Sequence, residues 1–119
     1  MTYAETLAYL YAQLPMFHRI GKAAYKADLN NTHALMDALG HPELGLKCVH
    51  VAGTNGKGST SHMLASVFQE AGLRTGLYTS PHLKDFRERI RINGAMIPET
   101  EITAFVETHR ATFEPIQPS

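Results

Sequence analysis

The sequence contains a single cysteine, Cys48, and no tryptophan among its 119 residues. One thiol excludes an internal disulfide, fits a reducing compartment and cannot support a Cys-rich metal site. The seven histidines form no H-E-x-x-H pattern, and none has a cysteine or a second histidine at a familiar zinc spacing. We therefore expect no protein-bound zinc. A chain of this length can still bury one modest core without such cross-links.

The chain also lacks an excess of charge of either sign, since 11 basic side chains balance 11 acidic ones. A net charge of zero provides no field that steers a protein toward nucleic acid or an anionic membrane, so we expect neither partner. The longest stretch without charged residues, Thr6 to His18, contains Pro15 and is too short to cross a bilayer, which needs roughly 20 apolar residues. Glu5 stands where a secretory signal would carry positive charge, which predicts a cytoplasmic protein.

Two helices are predicted in residues 1–46. Thr2 and Glu5 have the spacing of a capping box, and the apolar residues that follow recur at helical spacing until Pro15 ends the helix. The second helix is expected to begin with Asp28 or Asn30 as its cap. The residues between the two helices show no clear period, which predicts mostly loop.

Residues 47–80 have the pattern of strand, glycine-rich turn, helix and strand. The runs KCVHVA (47–52) and LRTGLYTS (73–80) are β-prone, and the helix between them carries one apolar stripe. That stripe comprises Met63, Leu64, Val67, Phe68 and Ala71. Two strands joined by a helix predict a βαβ unit with parallel strands, and therefore an α/β domain.

Residues 81–119 predict a polar bend, a strand at RIRIN, a turn at Asn93-Gly94 and a final helix from about Pro98. The expected inward stripe of that helix comprises Ile102, Phe105, Val106, His109 and Phe113. The run FRERIRI resembles an anion-binding patch, but the acidic residues Asp85 and Glu88 interleave with its three arginines. This favours a solvated strand edge over a substrate contact.

The turn GTNGKGST, residues 53–60, has the composition of a phosphate-binding loop. Glycines allow successive N–H groups to point into one concavity, and the N-terminus of the following helix adds partial positive charge. Lys57 can reach β- and γ-phosphate oxygens, while Ser59 and Thr60 offer hydroxyls to phosphate or to its magnesium. We therefore predict binding of ATP with Mg²⁺.

The strict Walker pattern is not met by this loop. Val51 stands where the first glycine belongs, and Gly58 directly follows the lysine. The alternative is a tight turn that only connects strand and helix. Three glycines around one lysine exceed what such a connector requires, so nucleotide binding is the favoured interpretation.

The run HVAGTNGKGS, followed by LYTSPHL and ERIRINGAMIP, resembles the folylpolyglutamate synthase and dihydrofolate synthase family of the Mur ligase superfamily. The N-terminal segments TYAETLAYLYAQLP and LMDALGHPE are similar to the first two helices of that family. The resemblance implies an α/β fold, a P-loop-containing parallel-sheet ATPase domain of Mur ligase type, present only in part. Residues 1–119 would be the N-terminal part of the central ATP-binding domain, and the C-terminal part of the chain would be missing.

Within that part, the resemblance implies a helical lead-in at 1–46, a strand, phosphate loop, helix and strand at 47–80, and a loop, strand and helix at 81–119. Enzymes of the family use ATP and magnesium to phosphorylate a carboxylate of dihydropteroate or folate. The amino group of L-glutamate then attacks the acyl phosphate and forms an amide. The resemblance does not separate dihydrofolate synthase from folylpolyglutamate synthase activity, and the 119 residues alone are expected to be inactive.

The resemblance also assigns site residues. Those surrounding the ATP phosphates would be Gly53, Thr54, Asn55, Gly56, Lys57, Gly58, Ser59 and Thr60. Lys57 is the expected catalytic residue, because its charge can follow the γ-phosphoryl group during transfer. Ser80 in Thr-Ser-Pro, with Ser59, would hold magnesium. The alternative for Ser80 is a turn hydroxyl that caps the end of a strand. His82 and Leu83 would lie in the loop that approaches the pterin.

Two other functions remain open. One is a Mur-type ligase acting on a peptidoglycan nucleotide precursor, which commonly carries a separate domain before the phosphate loop. Only 52 residues precede Gly53 here, which argues against it. The other is a nucleotide-binding module without catalysis.

Overall fold

Four α-helices and one small sheet form the regular structure of residues 1–13 and 29–116, the part of the chain that the computed structural model describes. The helices are α1 (Tyr3–Gln13), α2 (Asn30–Ala38), α3 (Lys57–Glu70) and α4 (Glu99–Phe113), and a 3₁₀ helix covers Phe86–Arg89. The strands are β1 (Gly76–Tyr78), β2 (Ile90–Ile92) and β3 (Ala95–Met96).

The chain divides into two compact units. One comprises Met1–Lys47 together with Ile102–Ser119, and the other comprises Cys48–Glu101. Across the two described ranges, no helix combines the length and apolar character needed to span a bilayer.

Helix α1 begins with the predicted capping box. The Thr2 N–H donates to Glu5 Oε1 at 3.3 Å, and the Glu5 N–H donates to Thr2 Oγ1 at 3.1 Å. These bonds with Thr2 hold the pKa of Glu5 below its ordinary value. The predicted stop at Pro15 lies outside the described residues.

The predicted cap of α2 is wrong at Asn30, and the other candidate, Asp28, lies outside the described residues. The N-cap position is occupied by Leu29, which makes no side-chain capping bond, and Asn30 is the first helical residue. The helix ends before Gly40 and His41, which both have positive φ. The backbone bonds at its start include that from the His33 N–H to the Leu29 carbonyl at 2.8 Å.

The core of the first unit lies between α1 and α4. Thr6 is fully buried, and its hydroxyl donates to the Thr2 carbonyl at 2.8 Å and lies 3.2 Å from Thr103 Oγ1. Ile102 and Val106 are 6% and 2% exposed, which confirms them as inward residues of α4. The expected inward position of Phe105 is wrong: it is 51% exposed and lies against the ring of His109 instead.

Polar contacts of Met1, which precedes α1, and of Tyr9, within α1, tie this part of the chain to α4. The N-terminal amine lies 2.9 Å from the carboxylate of Glu107, and this pairing raises the pKa of the amine. The Tyr9 hydroxyl donates to Glu114 at 2.5 Å, and the guanidinium of Arg110 lies 5.4 Å from the Tyr9 ring centre. Desolvation and the hydrogen bond to Glu114 raise the pKa of Tyr9 to about 12.

The sheet of the second unit is antiparallel, in the order β1-β2-β3. Leu77 of β1 lies opposite Arg91 of β2, and Arg91 in turn lies opposite Met96 of β3. The predicted strand at RIRIN and the turn at Asn93-Gly94 are confirmed. Both turn residues have positive φ, which suits Asn-Gly in a tight connection between antiparallel strands.

The predicted parallel βαβ unit is wrong for the described residues. Residues 47–52 form no strand, and all but one of them are exposed. A strand is stable only where another strand satisfies its backbone groups, and a parallel pair also needs cover on both faces. Here the described partner of β1 is β2, which follows it in the chain and pairs with it antiparallel.

The buried face of α3 also differs from the predicted stripe. Met63 and Val67 are each 62% exposed and Ala71 is exposed, while Leu64 and Phe68 are half-buried and Ala65 is the buried residue. The face of α3 toward the sheet borders a cavity of about 240 Å³. Its lining comprises His62, Ala65, Ser66, Gln69, Thr75, Leu77, Arg91 and Gly94. The helix therefore turns a partly polar face toward the Leu77–Arg91 side of the sheet.

These burial differences predict the outcome of two matched substitutions. Val106→Ala should lower the free energy of unfolding by about 2 kcal/mol, because it removes buried methyl groups and leaves a cavity. Val67→Ala removes the same groups from an exposed position and should change it by less than about 0.5 kcal/mol. Urea unfolding measures both, and equal losses for the two variants would contradict the burial assigned to Val106 and the exposure assigned to Val67.

Candidate functional site

Gly56 directs the chain into α3. It is the N-cap residue of the helix and has a left-handed backbone, with φ of 74°. Its carbonyl accepts the first bond of the helix, from the Thr60 N–H at 3.0 Å. A side chain at this position would strain the backbone, since residues other than glycine rarely adopt this conformation. The turn from loop to helix therefore depends on glycine at position 56.

The first N–H groups of α3 have no partner within the helix. Those of Lys57, Gly58 and Ser59 precede the first ladder bond, which is made by Thr60. The N-cap makes no side-chain hydrogen bond, and the first turn of α3 contains no acidic residue. Three outward N–H groups and the positive end of a helix of 14 residues favour an anion at this point.

Residues 53–60 include this helix start and are all exposed. Lys57 adds its ammonium group to the N–H groups, and the hydroxyls of Ser59 and Thr60 lie in the same first turn. Ser61 does not join them, because its hydroxyl donates to the Lys57 carbonyl at 2.8 Å. The structure thus brings the whole predicted loop together as one open, donor-rich surface.

Ser80 belongs to the same compact unit and follows the end of β1. It is exposed, and the Ser80–Pro81 peptide is cis. The Thr79 N–H donates to the Arg89 carbonyl at 3.0 Å, so the backbone remains bonded up to the residue before Ser80. Its hydroxyl is placed where a ligand from solvent can reach it.

His82 and Leu83 have contrasting environments. His82 accepts a hydrogen bond at Nδ1 from Arg89 Nε at 2.8 Å and packs edge-on against Phe86, with ring centres 5.9 Å apart. Leu83 is 92% exposed. His82 is therefore part of the local structure, whereas the Leu83 side chain extends into solvent.

The carboxylates of Glu88 and Asp85, which were expected on a solvated strand edge, organise this loop. Glu88 accepts the N–H groups of Leu83, Lys84 and Asp85 at 2.8, 3.2 and 2.9 Å. Asp85 accepts the Arg87 N–H at 3.0 Å and pairs with the Arg87 guanidinium at 3.0 Å.

Backbone hydrogen bonds hold the pKa values of both Asp85 and Glu88 below the ordinary range. Together these two carboxylates form the capping box of the 3₁₀ helix. Their three-residue spacing was the sequence signal that could have identified it. The segment FRER is therefore a capped helical turn, and only IRI of the expected strand edge is a strand.

The described residues supply hydroxyls rather than carboxylates for a metal ion. No group of three His, Cys, Asp or Glu side chains in residues 1–13 and 29–116 could hold one. The hydroxyls of Ser59 and Ser80 are exposed in the second unit, and the helix start supplies donors for phosphate. The N–H groups fit a nucleotide phosphate, and the hydroxyls fit its Mg²⁺. This ion is usually bound by one or two protein ligands together with substrate phosphates.

Known proteins share substantial sequence identity with this chain. No family model matches the chain. It is 39% identical over 117 residues to folylpolyglutamate synthase of Lacticaseibacillus casei, covering 98% of the chain and 26% of that relative. It is 48% identical over 85 residues to dihydrofolate synthase/folylpolyglutamate synthase of Bacillus subtilis, covering 71% of the chain and 20% of that relative. The chain belongs to the folylpolyglutamate synthase/dihydrofolate synthase family.

Solved structures of this family agree with that assignment. Folylpolyglutamate synthetase from Lactobacillus casei matches with a TM-score of 0.84 at 37% identity, over 98% of this chain and 28% of that one. An FPGS complex with AMPPCP and folate matches with a TM-score of 0.78 at 36% identity, over 98% and 27%. The fold class is thus confirmed as the Mur ligase type, present in part. The chain spans about a quarter of the length of these family members.

Two glycines of the family loop offer a matched test of the backbone argument. Gly56→Ala should lower the free energy of unfolding by about 1–2 kcal/mol, because alanine is strained at φ of 74°. Gly58→Ala should leave it unchanged or raise it by up to about 1 kcal/mol, because Gly58 has open space around its Cα and lies inside a helix. Urea unfolding of both variants measures the difference, and an equal effect would contradict the role given to Gly56.

Proposed function

We propose that this chain is the phosphate-binding part of an ATP-dependent ligase that joins a pterin or folate carboxylate to L-glutamate through an amide bond. The exposed start of α3, with its N–H groups and the ammonium group of Lys57, carries the proposal. The match to an FPGS complex that contains AMPPCP and folate supports the same nucleotide and substrate class. We expect the protein to be cytoplasmic. Residues 1–119 would form the N-terminal part of its ATP-binding domain.

Residues 53–60 would bind the ATP phosphates. The N–H groups of Lys57, Gly58 and Ser59 would donate to phosphate oxygens, which supplies the hydrogen bonds that the helix itself does not make. Gly53 and Gly56, which both have positive φ, would keep the backbone close to the phosphates. Thr54, Asn55 and Thr60 would border the same surface.

Lys57 is the proposed catalytic residue. Its ammonium can follow the terminal phosphoryl group as negative charge redistributes during transfer, which stabilises the transition state more than the ground state. The residue lies at the first position of α3 and is exposed, so the ammonium adds to the positive end of the helix.

The hydroxyls of Ser59 and Ser80 would hold Mg²⁺ together with phosphate oxygens. Bound magnesium would offset the charge of the phosphates. Ser59 lies in the first turn of α3, and Ser80 lies in the loop after β1. In the proposed reaction the terminal phosphoryl group passes to the substrate carboxylate. The glutamate amine then replaces phosphate at the acyl carbon, and ADP and phosphate are released.

Removal of the Lys57 charge tests the proposed nucleotide site. Lys57→Ala should weaken MgATP binding by about 1.5–3 kcal/mol, or roughly 10- to 150-fold, because it removes one charge-assisted contact. Isothermal titration of the variant with MgATP measures the change. Lys47→Ala removes an exposed lysine outside the loop and serves as the control. An unchanged dissociation constant for Lys57→Ala would eliminate the assignment.

A second candidate function is nucleotide binding without ligation by these 119 residues. It is favoured by one observation: the described part of the chain holds no cluster of carboxylate and histidine side chains for a metal ion. Magnesium held by hydroxyls and phosphate alone would be loosely placed, and an acyl phosphate in an open site would be hydrolysed.

An assay of amide formation distinguishes ligation from nucleotide binding alone. The chain should bind MgATP but form no labelled conjugate when it is incubated with dihydropteroate or tetrahydrofolate, MgATP and labelled L-glutamate. Chromatography with detection of the label measures the product. Labelled pterin-glutamate formed by the chain at a rate comparable to a family enzyme would show that residues 1–119 are sufficient for ligation.

A further inference from the structure

The residues on both sides of Ser80 and Pro81 are hydrogen-bonded to the same pair of residues, Glu88 and Arg89. On the N-terminal side, the Thr79 N–H donates to the Arg89 carbonyl at 3.0 Å, and Thr79 Oγ1 donates to the Glu88 carbonyl at 3.2 Å. The chain immediately after Pro81 is bonded to the side chains of Glu88 and Arg89. The exposed Ser80 is thus held from both directions.

The Glu88 carboxylate uses both of its oxygens on the chain that follows Pro81. Oε1 accepts the Leu83 N–H at 2.8 Å, while Oε2 accepts those of Lys84 at 3.2 Å and Asp85 at 2.9 Å. Hydrogen bonds to a charged acceptor are roughly twice as strong as neutral ones. Three such bonds restrict the backbone of three consecutive residues, which an exposed loop would otherwise leave free.

The Arg89 side chain fixes the residue between Pro81 and Leu83. A guanidinium has donors and no acceptor, so His82 Nδ1 accepts the bond from Arg89 Nε at 2.8 Å, and the proton of a neutral ring lies on Nε2. Phe86 packs against both groups, with the His82 ring centre at 5.9 Å and the Arg89 guanidinium carbon at 5.6 Å. The imidazole therefore has one defined orientation.

We propose that Glu88 and Arg89 are positioning residues that hold the Ser80 hydroxyl in place for the metal ion of MgATP. The inference rests on the proposed function, which makes Ser80 a metal ligand. Glu88 and Arg89 act through the backbone and through His82. Ordering a flexible residue on binding opposes binding, because backbone entropy is lost. A segment that is already ordered avoids that loss when the metal binds.

The test is nuclear magnetic resonance of the ¹⁵N-labelled chain with ATP and Mn²⁺, which broadens amide signals near the metal. In the wild type, the amides of residues 57–60 and of Ser80 should both broaden. In Glu88→Gln the signals of residues 57–60 should still broaden, while the broadening of Ser80 should fall severalfold. Hydrogen exchange at Leu83 and Asp85 should accelerate roughly tenfold, the equivalent of one lost hydrogen bond.

Two further variants make this test specific. Glu70→Gln removes an exposed carboxylate at the end of α3 and should leave Ser80 broadening and both amide exchange rates unchanged. Arg89→Gln removes the charged donor to His82 and provides the same measurement if Glu88→Gln fails to fold. Circular dichroism confirms that each variant keeps its helices.

The outcomes separate this inference from the function on which it rests. If residues 57–60 broaden in the wild type but Ser80 does not, the metal role of Ser80 is wrong and the inference fails with it. If none of these signals broadens, the proposed nucleotide site is itself wrong. If Ser80 broadens equally in the wild type, Glu88→Gln and Arg89→Gln, the positioning role is overturned while the proposed function stands.

Discussion

The unpaired N–H groups at the start of α3 are the constraint on which the candidate site depends. Helix geometry leaves those of Lys57, Gly58 and Ser59 without internal partners, and the N-cap residue is a glycine, which has no side chain to cap them. They can be exposed in this way because Gly56 turns the chain in a conformation that other residues rarely adopt. Lys57 adds its charge to the same point. The helix end thus remains open to an anion.

Two acidic side chains of the second unit, Asp85 and Glu88, bind backbone N–H groups. Asp85 and Glu88 are occupied by N–H groups of their own loop, and Asp85 also pairs with Arg87. This use explains how a loop with few buried contacts keeps a defined conformation next to Ser80. The candidate protein ligands for Mg²⁺ are therefore the hydroxyls of Ser59 and Ser80. This suits an ion that keeps phosphate oxygens among its ligands.

The chain is much shorter than the members of its family with which it was compared. It covers 26% of the length of one relative and 28% of one solved structure. Binding of phosphate requires only a continuous loop and a helix start, which these residues contain. Ligation also requires that the acyl phosphate be shielded from water and that two substrates be aligned. Phosphate binding and ligation are thus physically separable. The geometry of the loop and of the start of α3 concerns phosphate binding.

The sequence by itself determined the features whose hydrogen bonds join residues a few positions apart. These include the Thr2–Glu5 capping box, the Asn93-Gly94 turn, α4 from Glu99 and the glycine-rich loop before α3. Only the tertiary structure decided that β1 pairs with β2 and that Ala65 rather than Val67 is buried. Strand pairing and helix orientation depend on which distant surface is available, and periodicity within one segment contains no information about that surface.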